Sequence, residues 1–234
     1  MDWLGKIGIV TALISSVAGY CDATTFVSAD AVFSAHVTGN FILFAYEFVN
    51  HSSTHSYIKL LTFPVFVVSV MIGGVIKEKG THPYSLLFIE GIILVIVGIA
   101  TIVLNYSGLF TANRWHLFFL TLMTVFAMGL QNTFGKLFSK ETHGPTTMMT
   151  GNVTQASLDL INLIITNFRN SDAKRSFKRQ VITIAGFFVG AIVGAIGGKY
   201  LSLISLILPG MVMIGLYSQR KTFSIESTTV INEH

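Results

Sequence analysis

Six stretches of about twenty mostly apolar residues follow one another with little between them, at about 4–24, 58–77, 84–104, 115–135, 179–198 and 200–218. Each is long enough for a helix to cross the hydrocarbon of a bilayer, which takes roughly 20 residues. A soluble fold of 234 residues has no core large enough to hide six such segments. Charged residues make up 11% of the chain, less than half the roughly 25% of soluble domains, so a water-facing coat is missing. Mean hydropathy is +0.68. An ordinary cytosolic enzyme, a disordered chain and a disulfide scaffold are excluded as classes; Cys21 is the single cysteine. The run from Leu4 to Ala18 is similar to a signal peptide, but more membrane-like sequence follows, so it reads as the first span. The expected fold is an all-α integral membrane protein, one transmembrane domain over 1–220 with a polar cytoplasmic tail at 221–234.

Two further stretches, about 26–50 and 146–168, are long enough to cross but more polar. Each carries the tripeptide Thr-Gly-Asn, as Thr38-Gly39-Asn40 and Thr150-Gly151-Asn152. Each tripeptide follows one apolar span and precedes two more, and Ser69 and Gly73 in the first half correspond in place to Gly190 and Gly194 in the second. The same order of elements twice predicts two pseudo-symmetric repeats, roughly 1–107 and 108–220. If the tripeptide stretches are broken or re-entrant, there are six crossings and the halves are inverted. If they cross fully, there are eight crossings and the halves are parallel. With both termini cytoplasmic, the six-span reading places every Lys and Arg inside except Lys59, Arg114 and Lys199. The eight-span reading splits them less sharply, so the positive-inside rule favours six. Both readings put 169–179 and the C-terminus in the cytoplasm.

Thr-Gly-Asn joins a glycine that lets backbone approach closely to two side chains able to donate and accept. Non-helical backbone at membrane depth must be buried in protein or line a polar cavity. Helix N-termini meeting at mid-depth are a way to build a solute site. Thr38, Gly39, Asn40, Thr150, Gly151 and Asn152 are therefore candidate solute contacts, although capping or kinking a helix is the plainer use of each tripeptide. Ionisable residues among the apolar stretches are a second signal, since a charge at the bilayer centre costs ~2.5–3.5 kcal/mol or more. Asp22 and Asp30 precede the first tripeptide and would lie about 80° apart on one continuous helix. With His36 they are candidates for binding a coupling proton or cation. In the second half the place of Asp22-Ala23 is taken by the neutral pair Gln131-Asn132, also candidate solute contacts. Glu47 and Glu90 are expected to snorkel or to make helix-end contacts, and Asp159 also sits within an apolar stretch.

Gly186, Gly190, Gly194 and Gly198 recur every four residues, a face that lets two helix backbones touch, within the monomer or across a homodimer. Trp3, Trp115 and Tyr217 fall near span ends, as interface anchors should. Net charge is +4, but the cations cluster between apolar runs and make no stripe for nucleic acid. No phosphate-cradling Gly-x-x-x-x-Gly-Lys loop, zinc motif or nucleophile elbow occurs. Neither an enzyme nor a bound cofactor is expected.

The run Gly19-Tyr20-Cys21-Asp22-Ala23, with Phe33 and Thr38-Gly39-Asn40, resembles the N-terminal signature of the YoaK-type family of bacterial membrane proteins. Gly129-Leu130-Gln131-Asn132, with Thr147 and Thr150-Gly151, is similar to its second signature. The resemblance covers nearly the whole chain and implies a bacterial inner-membrane location and a compact helical fold; it supplies no substrate. The expected function is a small-molecule secondary transporter or permease, with its site where the repeats meet. The rival is a non-transporting membrane scaffold that binds lipid or another protein.

Overall fold

The computed structural model describes residues 3–51, 55–108, 114–139 and 141–219. Lys140, Arg220, Lys221 and the polar tail lie outside the described residues. The regular elements among the described residues are helices: α1 (Trp3–Ser28), α2 (Gly39–Asn50), α3 (Tyr57–Glu78), α4 (Ser85–Tyr106), α5 (Arg114–Leu137), α6 (Met149–Ile165), α7 (Ser171–Leu201) and α8 (Ile207–Ser218), with a 3-10 turn at Ser202–Leu206. Five stretches are long and apolar enough to cross a membrane, and the last of them, Ser171–Ser218, takes in both α7 and α8. It folds back on itself. Ser202 leaves helical geometry at φ 53°, ψ −145°, and a Cβ added to Gly197 would stand 3.0 Å from the Ser205 Cβ, so the two arms touch beside the turn.

Contacts fix the directions of the helices. Gly186, Gly190, Gly194 and Gly198 of α7 lie on the main chain of Ala12, Ser16, Tyr20 and Thr24 of α1. Numbers rise together on both, so α1 and α7 are parallel. Ser69 and Gly73 of α3 meet Gly129 and Thr133 of α5 in the same sense. Gly91 and Gly98 of α4 meet Gly210 and Ile207 of α8 in opposite order, so that pair is antiparallel. Arg114, opening α5, pairs with Asp30 just beyond α1, and Lys59, near the start of α3, reaches the Asp30 carbonyl. One end of the bundle thus holds Lys59, Arg114 and Lys199. The other holds Lys6, Lys77, Lys79, Lys136, Arg169, Lys174, Arg175, Lys178 and Arg179, and is called the basic end below.

Close backbone approach is the main packing device. A Cβ on Gly190 would fall 1.9 Å from the Ser16 carbonyl oxygen, and one on Gly194 2.3 Å from that of Tyr20. Thr24 Oγ1 donates to the Gly194 carbonyl at 3.0 Å, and Ser15 Oγ to that of Thr183 at 2.7 Å. The glycine face is therefore occupied by α1 of the same chain, which removes it as a dimer surface. Two thirds of the apolar windows of α1 and α5 (67%) are buried, against 28% for α3 and for the α7–α8 stretch. The first pair forms the centre. The others turn Val67, Met71 and Val75, or Val189, Val193 and Ile196, outward, as a lipid-facing surface would.

Candidate functional site

Two non-helical segments enter the bundle from opposite ends, and each leaves it as a short helix. The first follows α1. Asp30 and Ala31 adopt left-handed φ values of 51° and 56° and turn the chain back inward. Asp22 receives it: its Oδ1 accepts from the Ala35 amide at 2.7 Å, and its Oδ2 lies 2.5 Å from His36 Nδ1. That hydrogen bond holds the His36 imidazole above its usual pKa against the opposing effect of burial. The Phe187 ring of α7 closes over His36, 5.4 Å between centroids. The segment leaves as α2, and Asn40, fully buried, clasps it. Asn40 Oδ1 accepts from the Phe33 amide, and its Nδ2 donates to the Phe33 carbonyl, both at 2.8 Å; Nδ2 also donates to Thr62 Oγ1 at 3.0 Å. Gly39 leaves room for the Phe33 ring, which a Cβ at 3.0 Å would have to push aside.

The second segment follows α5 at the basic end. Thr11 Oγ1 accepts from the His143 amide at 3.0 Å, and Ser15 Oγ lies between the carbonyls of Thr146 and Thr183. Gln131 Nε2 donates to the Ile14 carbonyl at 2.7 Å and reaches Thr146 Oγ1 at 3.3 Å. The chain leaves as α6, and Asn152 Nδ2 donates to the Pro145 carbonyl at 3.0 Å. Both asparagines thus reach back seven residues and close their own loops. Thr38, Thr150 and Gly151 face outward. Thr38 makes no side-chain cap bond, and nothing lies within 4 Å of a Cβ on Gly151.

Asp22 and His36 are brought together as a pair; Asp30 is not with them. The helix expected to carry Asp22 and Asp30 ends at Ser28, where Thr25 and Ser28 turn their hydroxyls onto carbonyls of the preceding turn and compete with onward helix. Asp30 instead makes an exposed ion pair with Arg114 at 3.0 Å. Asn132 is half-buried. Glu47 makes the helix contact anticipated for it, to Lys59 at 2.8 Å, and that lysine, though cationic, is 2% exposed. Asp159 is tied to Gln155 on its own helix at 2.8 Å.

Glu90 departs from expectation most. It does not snorkel: it is fully buried, and neither carboxylate oxygen has a partner among the described residues. Leu87, Glu90, Gly91, Leu94, Val97 and Gly98 share the buried side of α4, and Gly91 and Gly98 press on α8, so the acid cannot climb to either end. That spacing is the signal by which the sequence could have singled it out. Gln131 Oε1 and Ser34 Oγ are likewise buried without partners. Cys21 of α1 lies within electrostatic reach of both Glu90 and Asp22.

Long apolar helices, an apolar outer surface and polar loops folded inward are the features of, and are compatible with, a multi-pass helical membrane protein. Within that class the chain belongs to the family described as Protein of unknown function (DUF1275), whose model matches residues 10–218. No curated protein and no solved structure matches the chain.

Proposed function

We propose that the chain is a small-solute permease of the bacterial inner membrane, built from two inverted copies of one unit with six crossings and two re-entrant elements. Three correspondences support the duplication. Asn40 and Asn152 each bond a carbonyl seven residues back. Gly19 packs on the Phe187 carbonyl as Gly129 does on that of Phe66. Also, α1 runs opposite to α5, α3 opposite to α7 and α4 opposite to α8. The Gly19–Gly129 match sets Asp22 against Asn132, one position on from the register read in the sequence. The basic end faces the cytoplasm, as retention of Lys and Arg on that side requires.

The observation that carries the permease reading is the meeting of two inward loops on one central helix. They seat at Ser15 and Asp22, about 10 Å apart along α1, near buried polar atoms of Glu90, Gln131 and Ser34 that protein leaves unsatisfied. An orphaned buried polar atom costs about 1–3 kcal/mol, more when charged, and such groups persist where water, a proton or a solute visits. Asn40 and Asn152 shape the loops; solute contact falls to Gln131 and Asn132. Glu90, joined by Asp22 and His36, handles the coupling proton. In proteoliposomes with an imposed proton gradient, a panel of small polar solutes should show at least one flux, and Glu90→Gln should reduce that gradient-driven flux about tenfold or more while the protein stays folded. Full flux in Glu90→Gln rejects the proton role. The absence of any flux, with cysteines placed beside Gln131 and Asn152 silent to water-soluble thiol reagents, leaves the scaffold reading.

A further inference from the structure

The basic end carries a cleft of about 630 Å³ that the permease reading does not use. Lys174, Arg175, Lys178 and Arg179 of α7 form one wall; Gly8, Ile9 and Ala12 of α1 and Ile182 form an apolar one, and His143 of the second inward loop closes it. No carboxylate lines it, and none of the four cations has an ion pair among the described residues. Arg179 Nε is buried and has no hydrogen-bond partner among the described residues. Burial, with Arg179 and Lys178 adding to it, holds His143 at a pKa of about 4, so it adds no charge at neutral pH.

Four uncompensated cations gathered within two helical turns repel one another, which favours an anion between them. An arginine forks two N–H donors onto a phosphate, and a buried Nε without an acceptor is half of such a fork. The apolar wall has no use for a small hydrated anion, whereas it suits the glycerol and acyl portion of an amphiphile. We propose that this cleft binds an anionic phospholipid, its phosphate between Arg175 and Arg179 and its acyl chains along Ile9, Ala12 and Ile182. Phosphate is the shared requirement; the apolar wall selects a lipid over a soluble phosphate. Because Thr11, between the lining residues Ile9 and Ala12, and Ser15, one turn beyond Ala12, hold the second inward loop, a lipid seated here also braces that loop.

Thermal unfolding of the full-length protein in a neutral detergent tests this without any transport assay. Phosphatidylglycerol should stabilise the wild type, and phosphatidylcholine or inorganic phosphate should do so far less. Arg175→Gln/Arg179→Gln should weaken the apparent affinity for phosphatidylglycerol about tenfold or more, each cation near a surface being worth roughly a fewfold. Lys77→Gln/Lys79→Gln, the same charge change at the same end but outside the cleft, should shift it less than about threefold. If the arginine pair does not fold, Lys174→Gln/Lys178→Gln takes its place. Equal weakening by both pairs means diffuse surface charge and overturns the site. Inorganic phosphate matching the lipid overturns the lipid assignment, and so does equal stabilisation by phosphatidylcholine. A transport-inactive protein that passes this test keeps the cleft and loses only the permease reading.

Discussion

At the inner end of the first loop an acid and an imidazole make the tie, Asp22 to His36, whereas the second loop is held by neutral groups, Thr11, Ser15 and Gln131. The helix pairs beneath them differ as well. Four glycines let α7 press on the α1 backbone, while in the α3–α5 pair the nearest neighbours are side chains, Thr133 to Gly73 and Ser69 to Gly129, with the Phe66 carbonyl next to Gly129. The two loops thus share a geometry, an inward turn closed by an asparagine, but not a chemistry. The tie of the first is ionic and sensitive to pH; the second is held by hydroxyls and amides. On the permease proposal, that asymmetry is what a one-sided coupling step would need, since a proton taken up at one locus must not be mirrored at the other.

The largest effect should come from the helix pairs. Gly190→Val places a side chain on the Ser16 carbonyl, where backbone cannot yield, and should cost more than about 3 kcal/mol or abolish folding. Gly73→Ala meets a threonine methyl at 2.8 Å, which can move, and should cost about 1–2 kcal/mol. Yields of monodisperse protein and unfolding midpoints in detergent rank the two; the opposite order would undo the contrast between the halves.

The clasps come next. Asn40 makes three hydrogen bonds and Asn152 one. Asn40→Ala should therefore cost about 2–3 kcal/mol and Asn152→Ala about 1 kcal/mol, since stranded buried partners are expensive. Equal losses in denaturation curves would mean that the loops are held elsewhere.

The smallest and most diagnostic effects are in pH. The raised pKa of His36 gives stability that is fully present below the unfolded value of about 6.5 and fades as pH rises through the folded value. Asp22→Asn should remove that fade and lower the His36 pKa, read by NMR titration of the ring. His143 behaves oppositely. Its folded pKa of about 4 means stability is complete above roughly 6.5 and declines as pH falls towards 4, a decline that His143→Gln should flatten. Two histidines fading in the same direction would erase the electrostatic difference between the loops.

Much of this was legible in one dimension. Six apolar runs anticipated α1, α3, α4, α5, α7 and α8, including the division of Ser171–Ser218 into two arms, because the need for roughly 20 apolar residues per crossing is a one-dimensional requirement. The two polar stretches, about 26–50 and 146–168, took in both short helices, Gly39–Asn50 and Met149–Ile165, without marking where either begins. The roles of single residues were less legible. Asp30 reads like a partner of Asp22 until the left-handed turn at 30–31 separates them, and hydroxyl-to-carbonyl competition in the last turn of α1 leaves only a weak trace in sequence. Glu90 reads like an acid that snorkels or makes a helix-end contact until its neighbours on α4 are placed against α8.

What the chain determined alone is its solvent and its punctuation: too little charge for water, enough apolar length for lipid, and a polar break repeated in two equivalent places. Only the tertiary structure decided which polar groups find partners. Hydrogen bonds and ion pairs depend on atoms within about 3 Å of one another, and those atoms come from segments far apart in sequence. Asn40 is satisfied by its own loop and by Thr62 of α3, and Glu90 by no described residue, a distinction settled by which helix face meets which.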